Sequence, residues 1–231
     1  MEFFNSIANS LYRTLIEKDR YLLIVDGLKN TLVMTLFATI IGIAIGIVIA
    51  VIKYFAEGNK KLWILDKICD IYTTVIRGTP VMVQLLILAT VVLVGFRETM
   101  PVAIIGFGIN SGAYVSEIIR SGINAVDRGQ EEAGRSLGLN RVDTMRLIIM
   151  PQAIKNILPA LGNEFIVLLK ETSIAGYIAV HDLTKGGEII KNNTYDGTAL
   201  FLVALIYLVL VMGLTAILRH FERRLRRSDS H

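Results

Sequence analysis

The chain has 231 residues, of which 53% are hydrophobic, and its formal net charge is +4. A soluble domain is also about half apolar but scatters these residues in periodic patterns, whereas here they form long uncharged runs, which excludes an ordinary soluble domain. The single cysteine excludes an intrachain disulfide, and no aromatic and basic surface pattern accompanies the charge, which argues against nucleic-acid binding.

Four uncharged runs are close to the length of about 20 residues that an apolar helix needs to cross a bilayer. They cover residues 30–52, 78–96, 99–116 and 197–218. A fifth, more polar stretch covers residues 157–180. The sequence therefore predicts an all-α polytopic membrane protein with five transmembrane helices. Residues 1–27 carry apolar side chains near helical spacing, which predicts an amphipathic helix lying on the outer membrane interface.

The distribution of lysine and arginine predicts the orientation of the chain in the membrane. Fourteen of these residues fall in segments that five spans place on one side, and seven fall on the other side. Because the richer side is cytoplasmic, we expect the N-terminus outside and the C-terminus inside. We divide the chain into an N-terminal interfacial helix at 1–27, a transmembrane domain at 28–220 and a basic cytoplasmic tail at 221–231.

One polar segment interrupts the apolar runs on the predicted cytoplasmic side. It reads EEAGRSLGLNRVDTMRLIIMP and covers residues 131–151. Gly138 can adopt positive φ and end a first short helix, and Asn140 is suited to cap a second one. Pro151 is either a helix stop or a first-turn residue of the next helix. Two short helices joined at a glycine suit docking of a protein partner, whereas an ordinary solvated loop that only enforces topology is the alternative.

This segment carries a spaced set of residues: Glu132, Ala133, Gly134, Gly138, Ile148, Met150 and Pro151. The set resembles the EAA–three–Gly–nine–Ile–one–Leu–Pro signature of the integral membrane subunits of bacterial ABC importers. Gly134 stands in place of the second alanine of the signature and Met150 in place of its leucine. Further stretches, VIRGTPVMVQLL at 75–86 and NSGAYVSEIIRSGI at 110–123, look like the polar amino-acid branch of that family, which includes histidine, glutamine and arginine permeases.

The resemblance spans roughly residues 28–220 and implies a permease subunit of the bacterial inner membrane that moves a polar amino acid inward by alternating access. It implies that the coupling loop, residues 128–151, contains a cytoplasmic coupling helix that docks on a separate ATPase. The implied docking residues are Glu131, Glu132, Ala133, Gly134, Arg135, Leu137 and Gly138. The chain has no G-x-x-x-x-G-K-[ST] loop and no metal-ligand spacing, so we expect it to be no enzyme and to hold no cofactor or metal.

The implied partners are two copies of the ATPase subunit, which carry ATP and Mg, and a second permease subunit. A second copy of this chain is the expected form of that subunit, and a different sister subunit is the alternative. An extracytoplasmic solute-binding protein, the amino-acid substrate and membrane lipid complete the set. The external segment at 181–197 offers Asp182 and Glu188 as contacts for the solute-binding protein. No nucleic acid is expected.

Polar side chains at bilayer depth are costly, so they mark either a functional site or a pair that holds helices together. At 1.5 Å per residue, Arg77, Asn110, Ser111 and Glu164 lie near the middle of their predicted spans. A zwitterionic amino acid needs a cation for its carboxylate, which Arg77 offers, and an acceptor for its ammonium, which Glu164 offers. The candidate substrate-binding residues are Asp70, Thr73, Arg77, Asn110, Asn163 and Glu164. The alternative is that Arg77 pairs with Glu164 or Asp70 and touches no ligand.

Helical spacing places Asp70, Thr73, Arg77 and Gln84 on one stripe of the predicted second span. Pro80 interrupts this span, and because it lacks an N–H it frees the carbonyl of Ile76. Farther out lie the residues of a candidate outer gate: Lys170, Glu171, Thr172 and Ser173. Snorkelling of these side chains to the membrane interface is the alternative.

The substrate preference and the transport class each have alternatives. Glu164 and Asp70 favour a basic amino acid, namely arginine, lysine or histidine, and glutamine or another polar amino acid is the alternative. A secondary transporter or channel that uses no ATP would also place ionisable residues on its spans, but it has no need of the coupling loop. A non-transporting membrane anchor for an ATPase is a third class, which the polar residues at bilayer depth argue against.

Overall fold

The computed structural model describes residues 12–57 and 59–227, and these residues are almost entirely helical with no strand among them. The α-helices are α1 Tyr21–Ala56, α2 Trp63–Gly78, α3 Val81–Ile87, α4 Thr99–Asn124, α5 Arg128–Ser136, α6 Arg141–Thr144, α7 Met150–Glu171, α8 Leu183–Thr194 and α9 Thr198–Arg227. Short 3₁₀ or π segments cover Tyr12–Ile16, Glu17–Asp19, Lys60–Leu62, Leu88–Val92, Met145–Ile149 and Thr172–Ile178. The all-α prediction is confirmed.

Among the residues that the structure describes, three helices are long and apolar enough to cross a membrane, namely α1, α4 and the Thr198–Leu225 part of α9. The pair Lys60–Gly78 and Val81–Val92 makes a fourth candidate if it is one broken span, and its two halves meet at 108°. The predicted fourth span corresponds to α7, which contains Pro159 and several charged residues. It is not among the helices that are long and apolar enough to cross a membrane. The polytopic prediction is therefore confirmed, and the count of five spans stays a prediction.

The N-terminal segment differs from a simple interfacial helix. The first long helix begins at Tyr21, so the predicted boundary between residues 27 and 28 falls inside a continuous helix. The described residues before it form a π-helical turn and a 3₁₀ turn, in which Lys18 has a φ of 60°. The predicted amphipathic helix also includes residues 1–11, which lie outside the described residues, as do residues 228–231 of the predicted basic tail.

The centre of the chain is the pair α1 and α4, whose backbones approach closely through small residues. Each helix carries a G-x-x-x-G pattern, at residues 42–46 of α1 and 108–112 of α4. A Cβ atom added at Gly112 would lie 2.7 Å from the Cγ2 atom of Ile45 on α1. Membrane helices use such patterns to pack backbone against backbone, so these glycines fix the position of α4 against α1.

The remaining long helices pack around this pair. Near the start of α1, Ile24 packs in one core cluster with Leu183 of α8 and Val203 of α9. Near its end, Ala50 packs in another cluster with Ile157 of α7. By contrast, the most apolar stretch of α9 has only 6% of its length buried against the rest of the chain. Nearly all of the apolar surface of α9 is therefore exposed and not packed against other helices of the chain.

Candidate substrate and docking sites

A break between α2 and α3 shapes the first site. Pro80 has no N–H to continue the helix, and the carbonyl of Ile76 instead accepts a hydrogen bond of 2.7 Å from Nε2 of Gln84. The same amide donates to the hydroxyl of Thr79 at 2.8 Å. The freed carbonyl was predicted, but a side chain of the next helix satisfies it. The prediction that Gln84 shares one stripe of the second span with Asp70, Thr73 and Arg77 is wrong, because α2 and α3 form a pair that is bent by 108°.

Two neighbouring residues of α4 connect this break to α7. Asn110 donates from Nδ2 to Oε1 of Gln84 at 3.0 Å. Ser111 donates from its hydroxyl to Oε1 of Glu164 on α7 at 2.9 Å. Both α4 residues are buried and Glu164 is partly buried. The structure therefore places two predicted substrate residues, Asn110 and Glu164, at the same level along α4, where Asn110 faces α3 and Ser111 faces α7.

Arg77 has a different partner from those predicted. Its Nη1 atom lies 3.9 Å from Oε2 of Glu117 on α4, and its guanidinium carbon lies 5.6 Å from the centre of the Tyr114 ring. Glu117 also forms an ion pair with Arg120. The predicted alternatives, Arg77 paired with Glu164 or with Asp70, do not occur in the structure. Because the Arg77 side chain is 43% exposed, a ligand can still reach it.

Glu117 is absent from the residues predicted from sequence. It lies on α4 two helical turns after Asn110, and residues spaced by two turns share one face of a helix. This spacing, applied to α4 as it was to the second span, is the signal that identifies Glu117. The residue therefore belongs to the candidate polar surface between α2 and α4.

Asp70 and Thr73 already have contacts within the chain. Asp70 forms an ion pair with Lys53 near the end of α1 and another, at 3.4 Å, with Lys67. The hydroxyl of Thr73 donates to the carbonyl of Cys69 in its own helix at 3.0 Å. The charge of Asp70 is thus balanced by lysines. Separately, within the described part of the chain, no group of three or more His, Cys, Asp and Glu residues is arranged to hold a metal ion.

The predicted gate residues follow the end of α7 but face different surroundings. Lys170 is exposed, and Glu171 and Ser173 are partly buried. Thr172 is fully buried, and its hydroxyl donates to the carbonyl of Leu169 at 2.7 Å. Thr172 therefore stabilises the junction between α7 and the 3₁₀ segment Thr172–Ile178 and does not line an open surface.

Asp182, predicted to contact a soluble partner, instead caps α8. Its side chain is fully buried, and its carboxylate accepts the backbone N–H groups of Thr184 and Lys185 at 3.0 and 3.1 Å. Burial raises the pKa of Asp182 above its ordinary value, and these N–H donors act in the opposite direction. The predicted contact is therefore wrong for Asp182, whereas Glu188 is partly exposed and pairs with Lys185 at 3.1 Å.

The coupling loop has the two short helices that its sequence predicts. Gly138 follows α5 with a φ of 84°. Its N–H donates to the carbonyl of Arg135 at 2.9 Å, and that of Leu139 donates to the carbonyl of Gly134 at 3.1 Å. This pair of bonds is a Schellman motif, which ends a helix at a left-handed residue. The predicted glycine turn is therefore confirmed.

The second short helix begins at its predicted cap. The side chain of Asn140 accepts the N–H of Asp143 at 2.9 Å, and α6 starts at the next residue. The helix continues through the π segment Met145–Ile149 into α7. Pro151 lies in the first turn of α7 and does not act as a stop, so the coupling loop is joined to α7 by continuous helix.

Gly134 is buried where α5 crosses the start of the following helix. A Cβ atom at this position would lie 2.7 Å from Cγ2 of Thr144 and 2.9 Å from Cδ1 of Ile148. These distances are too short for a methyl group without movement of the neighbours. Glycine at the position of the signature's second alanine therefore lets α5 and the following helix approach this closely, and an alanine would require Thr144 and Ile148 to move.

Arg141 attaches the coupling loop to the end of α1. Its two terminal nitrogens donate to the carbonyl and to Oε2 of Glu57, each at 2.9 Å. Its guanidinium carbon lies 4.6 Å from the centre of the Tyr54 ring, within the range of a cation–π interaction. Arg141 is absent from the predicted docking residues because this role depends on a neighbour far away in sequence.

The outward face of α5 remains uncovered. Glu132, Ala133 and Arg135 are exposed, and Leu137 at its end is 80% exposed. Glu131 is partly buried. This face therefore presents an exposed leucine beside charges of both signs. The predicted docking residues therefore divide into an exposed set, the partly buried Glu131 and two structural glycines, Gly134 and Gly138.

Comparison with known proteins identifies relatives over most of the chain. The family model for the inner membrane component of binding-protein-dependent transport systems matches residues 42–227. The chain is 43% identical over 166 residues to the arginine transport system permease protein of Bacillus subtilis, covering 70% of this chain and 76% of the relative. It is 37% identical over 169 residues to the glutamine transport system permease protein of Escherichia coli K12, covering 71% and 77%.

Solved structures share the fold. An amino acid ABC transporter crystallised with histidines matches with a TM-score of 0.82 and 43% identity, over 90% of this chain and 97% of that chain. An inward-facing methionine ABC transporter matches with a TM-score of 0.74 over 89% of this chain and 97% of that chain, and its 20% identity supports the fold alone.

Proposed function

Because the chain belongs to the family of binding-protein-dependent transport system inner membrane components, we propose that it carries a polar amino acid inward by alternating access and prefers a basic one. The chain is a multi-pass inner-membrane permease subunit of an ABC importer for amino acids. It is not an enzyme, and the ATPase is a separate partner. Membership of this family removes the secondary transporter, the channel and the membrane anchor as alternatives.

The observation that carries the basic preference is the environment of Glu164. Its carboxylate receives one hydroxyl hydrogen bond, from Ser111. No lysine or arginine of the described residues forms an ion pair with it. A partly buried carboxylate without a cation is costly at membrane depth. The guanidinium or ammonium of a basic substrate would supply the missing positive charge.

The carboxylate end of the substrate requires a cation, and Arg77 is the proposed group. An arginine fork binds a carboxylate through two parallel hydrogen bonds. Arg77 is half exposed and its contact with Glu117 is long, at 3.9 Å, so the arginine can exchange that contact for a substrate. We assign the neutral contacts to Asn110 and Asn163, of which Asn163 is exposed on α7. Asn110 would exchange its bond with Gln84 for the substrate, as Thr73 would its bond with the carbonyl of Cys69, whereas Asp70 remains a weaker candidate because two lysines already balance its charge.

A second copy of the chain is proposed to complete the pathway. Arg77, Asn163 and Lys170 are exposed on helices of a membrane protein, where polar groups normally face a bundle interior or water. A homodimer would enclose these side chains between its subunits. Lys170, Glu171 and Ser173 would then lie at the outer gate, and the N-terminus would lie outside and the C-terminus inside.

Energy is proposed to enter through the coupling loop of each subunit. The exposed residues Glu132, Ala133, Arg135 and Leu137 would contact one ATPase subunit per permease, with ATP and Mg bound in that partner. Closure of the two ATPase subunits on ATP would move both coupling loops and turn the cavity outward. A solute-binding protein would deliver substrate at the opposite face.

An uptake panel in proteoliposomes tests the substrate proposal. The reconstituted permease, ATPase and binding protein are given labelled arginine, lysine, histidine or glutamine. We expect a basic amino acid to be taken up at the highest rate and to compete with the others. Glutamine is the second candidate, because the chain is 37% identical to a glutamine permease protein. Preferential uptake of glutamine, with basic amino acids unable to compete, would show that Glu164 serves a neutral substrate.

Crosslinking tests the dimer. Asn163→Cys is introduced with Cys69→Ser, which removes the native cysteine, and the complex is treated with a short bifunctional thiol reagent. A crosslinked pair of permease chains is expected. Val48→Cys provides the control, because Val48 is exposed on α1 and lies outside the proposed pathway. Equal crosslinking at both positions, or none at position 163, would contradict the proposed arrangement.

A further inference from the structure

An apolar groove runs between the end of α1 and the first turns of α7. Its volume is about 520 Å³. Ile47 and Val51 of α1 form one wall and Leu158 of α7 forms part of the other, and of all its lining residues only Tyr54 and Arg146 have polar side chains. The groove lies outside the candidate substrate site, and neither transport nor ATPase docking accounts for it.

The groove has the depth of one membrane leaflet. On α1 its lining extends from Ile43 to Phe55, which is about 18 Å along a helix at 1.5 Å per residue. One leaflet contributes about 15 Å, half of the roughly 30 Å hydrocarbon core. The two aromatic residues Tyr54 and Phe55 stand at the end of α1, where membrane proteins commonly place an interfacial belt. An acyl chain that enters from the adjacent leaflet would therefore match the groove in length and in polarity.

Arg146 places a positive charge at the mouth of the groove. It belongs to the π segment Met145–Ile149 and is exposed. No acidic side chain in the described part of the chain forms an ion pair with it. Its neighbour Arg141 already forms an ion pair with Glu57. Arg146 therefore gives the groove a positive charge that no acidic side chain of the described residues balances.

We propose that this groove binds one anionic phospholipid, with an acyl chain between α1 and α7 and the phosphate at Arg146. A basic site between transmembrane helices at the membrane surface is the arrangement that recognises anionic headgroups. An acidic protein segment would match the charge but not the groove, because its backbone polar groups would have no partners in the hydrocarbon region. The lipid would also hold the coupling loop in place, since Arg146 belongs to the last part of that loop, directly before α7.

Native mass spectrometry of the purified complex with its ATPase tests the site. The delipidated complex is titrated with phosphatidylglycerol or with phosphatidylcholine of the same acyl chains. We expect one phosphatidylglycerol per permease chain to bind at least tenfold more tightly than phosphatidylcholine. Arg146→Gln should abolish this preference, whereas Arg223→Gln, which alters an exposed arginine of the tail of α9, should leave it unchanged.

A second pair of variants tests the groove itself. Val51→Trp fills the groove and should prevent retention of either lipid, whereas Val48→Trp changes an exposed residue of α1 outside the lining and should have no effect. Unchanged phosphatidylglycerol binding in both Arg146→Gln and Val51→Trp would overturn the proposal. Crosslinking of two chains through Val51→Cys, with Cys69→Ser, would also overturn it, because a second copy would then cover the groove. None of these measurements depends on which amino acid is transported.

Discussion

The hydroxyl of Ser111 on α4 donates a hydrogen bond of 2.9 Å to Oε1 of Glu164 on α7. The bond orients a carboxylate that has no ion-pair partner among the described residues, and it does so at the level where Asn110 meets Gln84. Ser111 lies where α4 packs on the glycines of α1, since a Cβ at Gly42 would lie 2.9 Å from its side chain. The packing of α1 on α4 therefore fixes the position of Ser111, and Ser111 in turn orients the carboxylate of Glu164, the candidate acceptor for the substrate.

Removing the hydroxyl of Ser111 is expected to weaken substrate binding. A hydrogen bond to a charged group contributes about 1.5–3 kcal/mol, so Ser111→Ala should raise the KM for a basic substrate by about tenfold or more. Ser116→Ala is the matched control, because Ser116 is also buried on α4 but donates to the carbonyl of Ala113 in its own helix. Uptake kinetics in proteoliposomes provide the measurement. Equal KM values for the two variants would mean that Ser111 does not position the acceptor.

Glu164→Gln should discriminate between substrates more strongly than Ser111→Ala. The amide keeps the size of the side chain but cannot balance a positive charge, so uptake of arginine or lysine should fall by at least tenfold while glutamine uptake changes less. The amount of complex in the membrane, measured by immunoblot, should remain that of the wild type. A uniform loss for every substrate, in proportion to lost protein, would indicate a structural role for Glu164.

Substitution of the exposed Glu132 is expected to uncouple the ATPase from transport. Glu132→Ala removes a charge from the outward face of α5 without removing a contact of its side chain in the described structure. Substrate-stimulated ATP hydrolysis should fall to the basal rate, and the complex should keep its thermal stability. Glu98→Ala, at an exposed residue before α4, is the control and should hydrolyse ATP normally. Full stimulation in Glu132→Ala would contradict docking at this face.

The close crossing at Gly134 predicts a specific pair of variants. Gly134→Ala introduces a methyl group 2.7 Å from Cγ2 of Thr144, and overpacking of this kind costs about 1–3 kcal/mol. Stimulated ATP hydrolysis should decrease because α5 is displaced. The double variant Gly134→Ala, Thr144→Ala removes the two Thr144 atoms that clash and leaves only Cδ1 of Ile148, the end of a flexible side chain, within 3 Å, so it should recover most of the activity. A double variant no better than Gly134→Ala would show that steric contact is not the cause.

Features determined by local sequence were predictable, whereas contacts between distant helices were not. The turn at Gly138 and the cap at Asn140 depend on residues within one or two turns, and the structure has both. Pro80 frees the carbonyl of Ile76 by its own chemistry, so this too follows from the sequence. The rise of a helix places Ser111 and Glu164 at similar levels of their predicted spans, and the structure joins these two side chains by a hydrogen bond. Each of these predictions uses information contained in a short stretch of chain.

The remaining features depend on how helices cross. Arg77 lies beside Glu117 of α4 and not beside Glu164 of α7, and no spacing within the sequence gives the packing of α2 on α4. The anchoring of Arg141 by Glu57 joins two segments far apart in sequence. Asp182 illustrates the opposite error, because a polar loop residue predicted to be exposed is in fact a buried helix cap. The two G-x-x-x-G patterns were readable from the sequence, but the partner that each helix would meet was not.

Substitution of Gln84 is expected to lower the stability of the protein, an effect separate from substrate recognition. Gln84→Leu leaves the carbonyl of Ile76 without its donor and Asn110 without its acceptor, and each group left unpaired costs about 1–3 kcal/mol when buried. The unfolding temperature of the purified complex should fall by several degrees. Gln84→Glu should have an intermediate effect, because it keeps an acceptor for Asn110 but cannot donate to Ile76. Gln152→Leu, at an exposed glutamine of α7, is the control. If Gln84→Leu and this control have the same unfolding temperature, the break at Pro80 needs no side-chain donor.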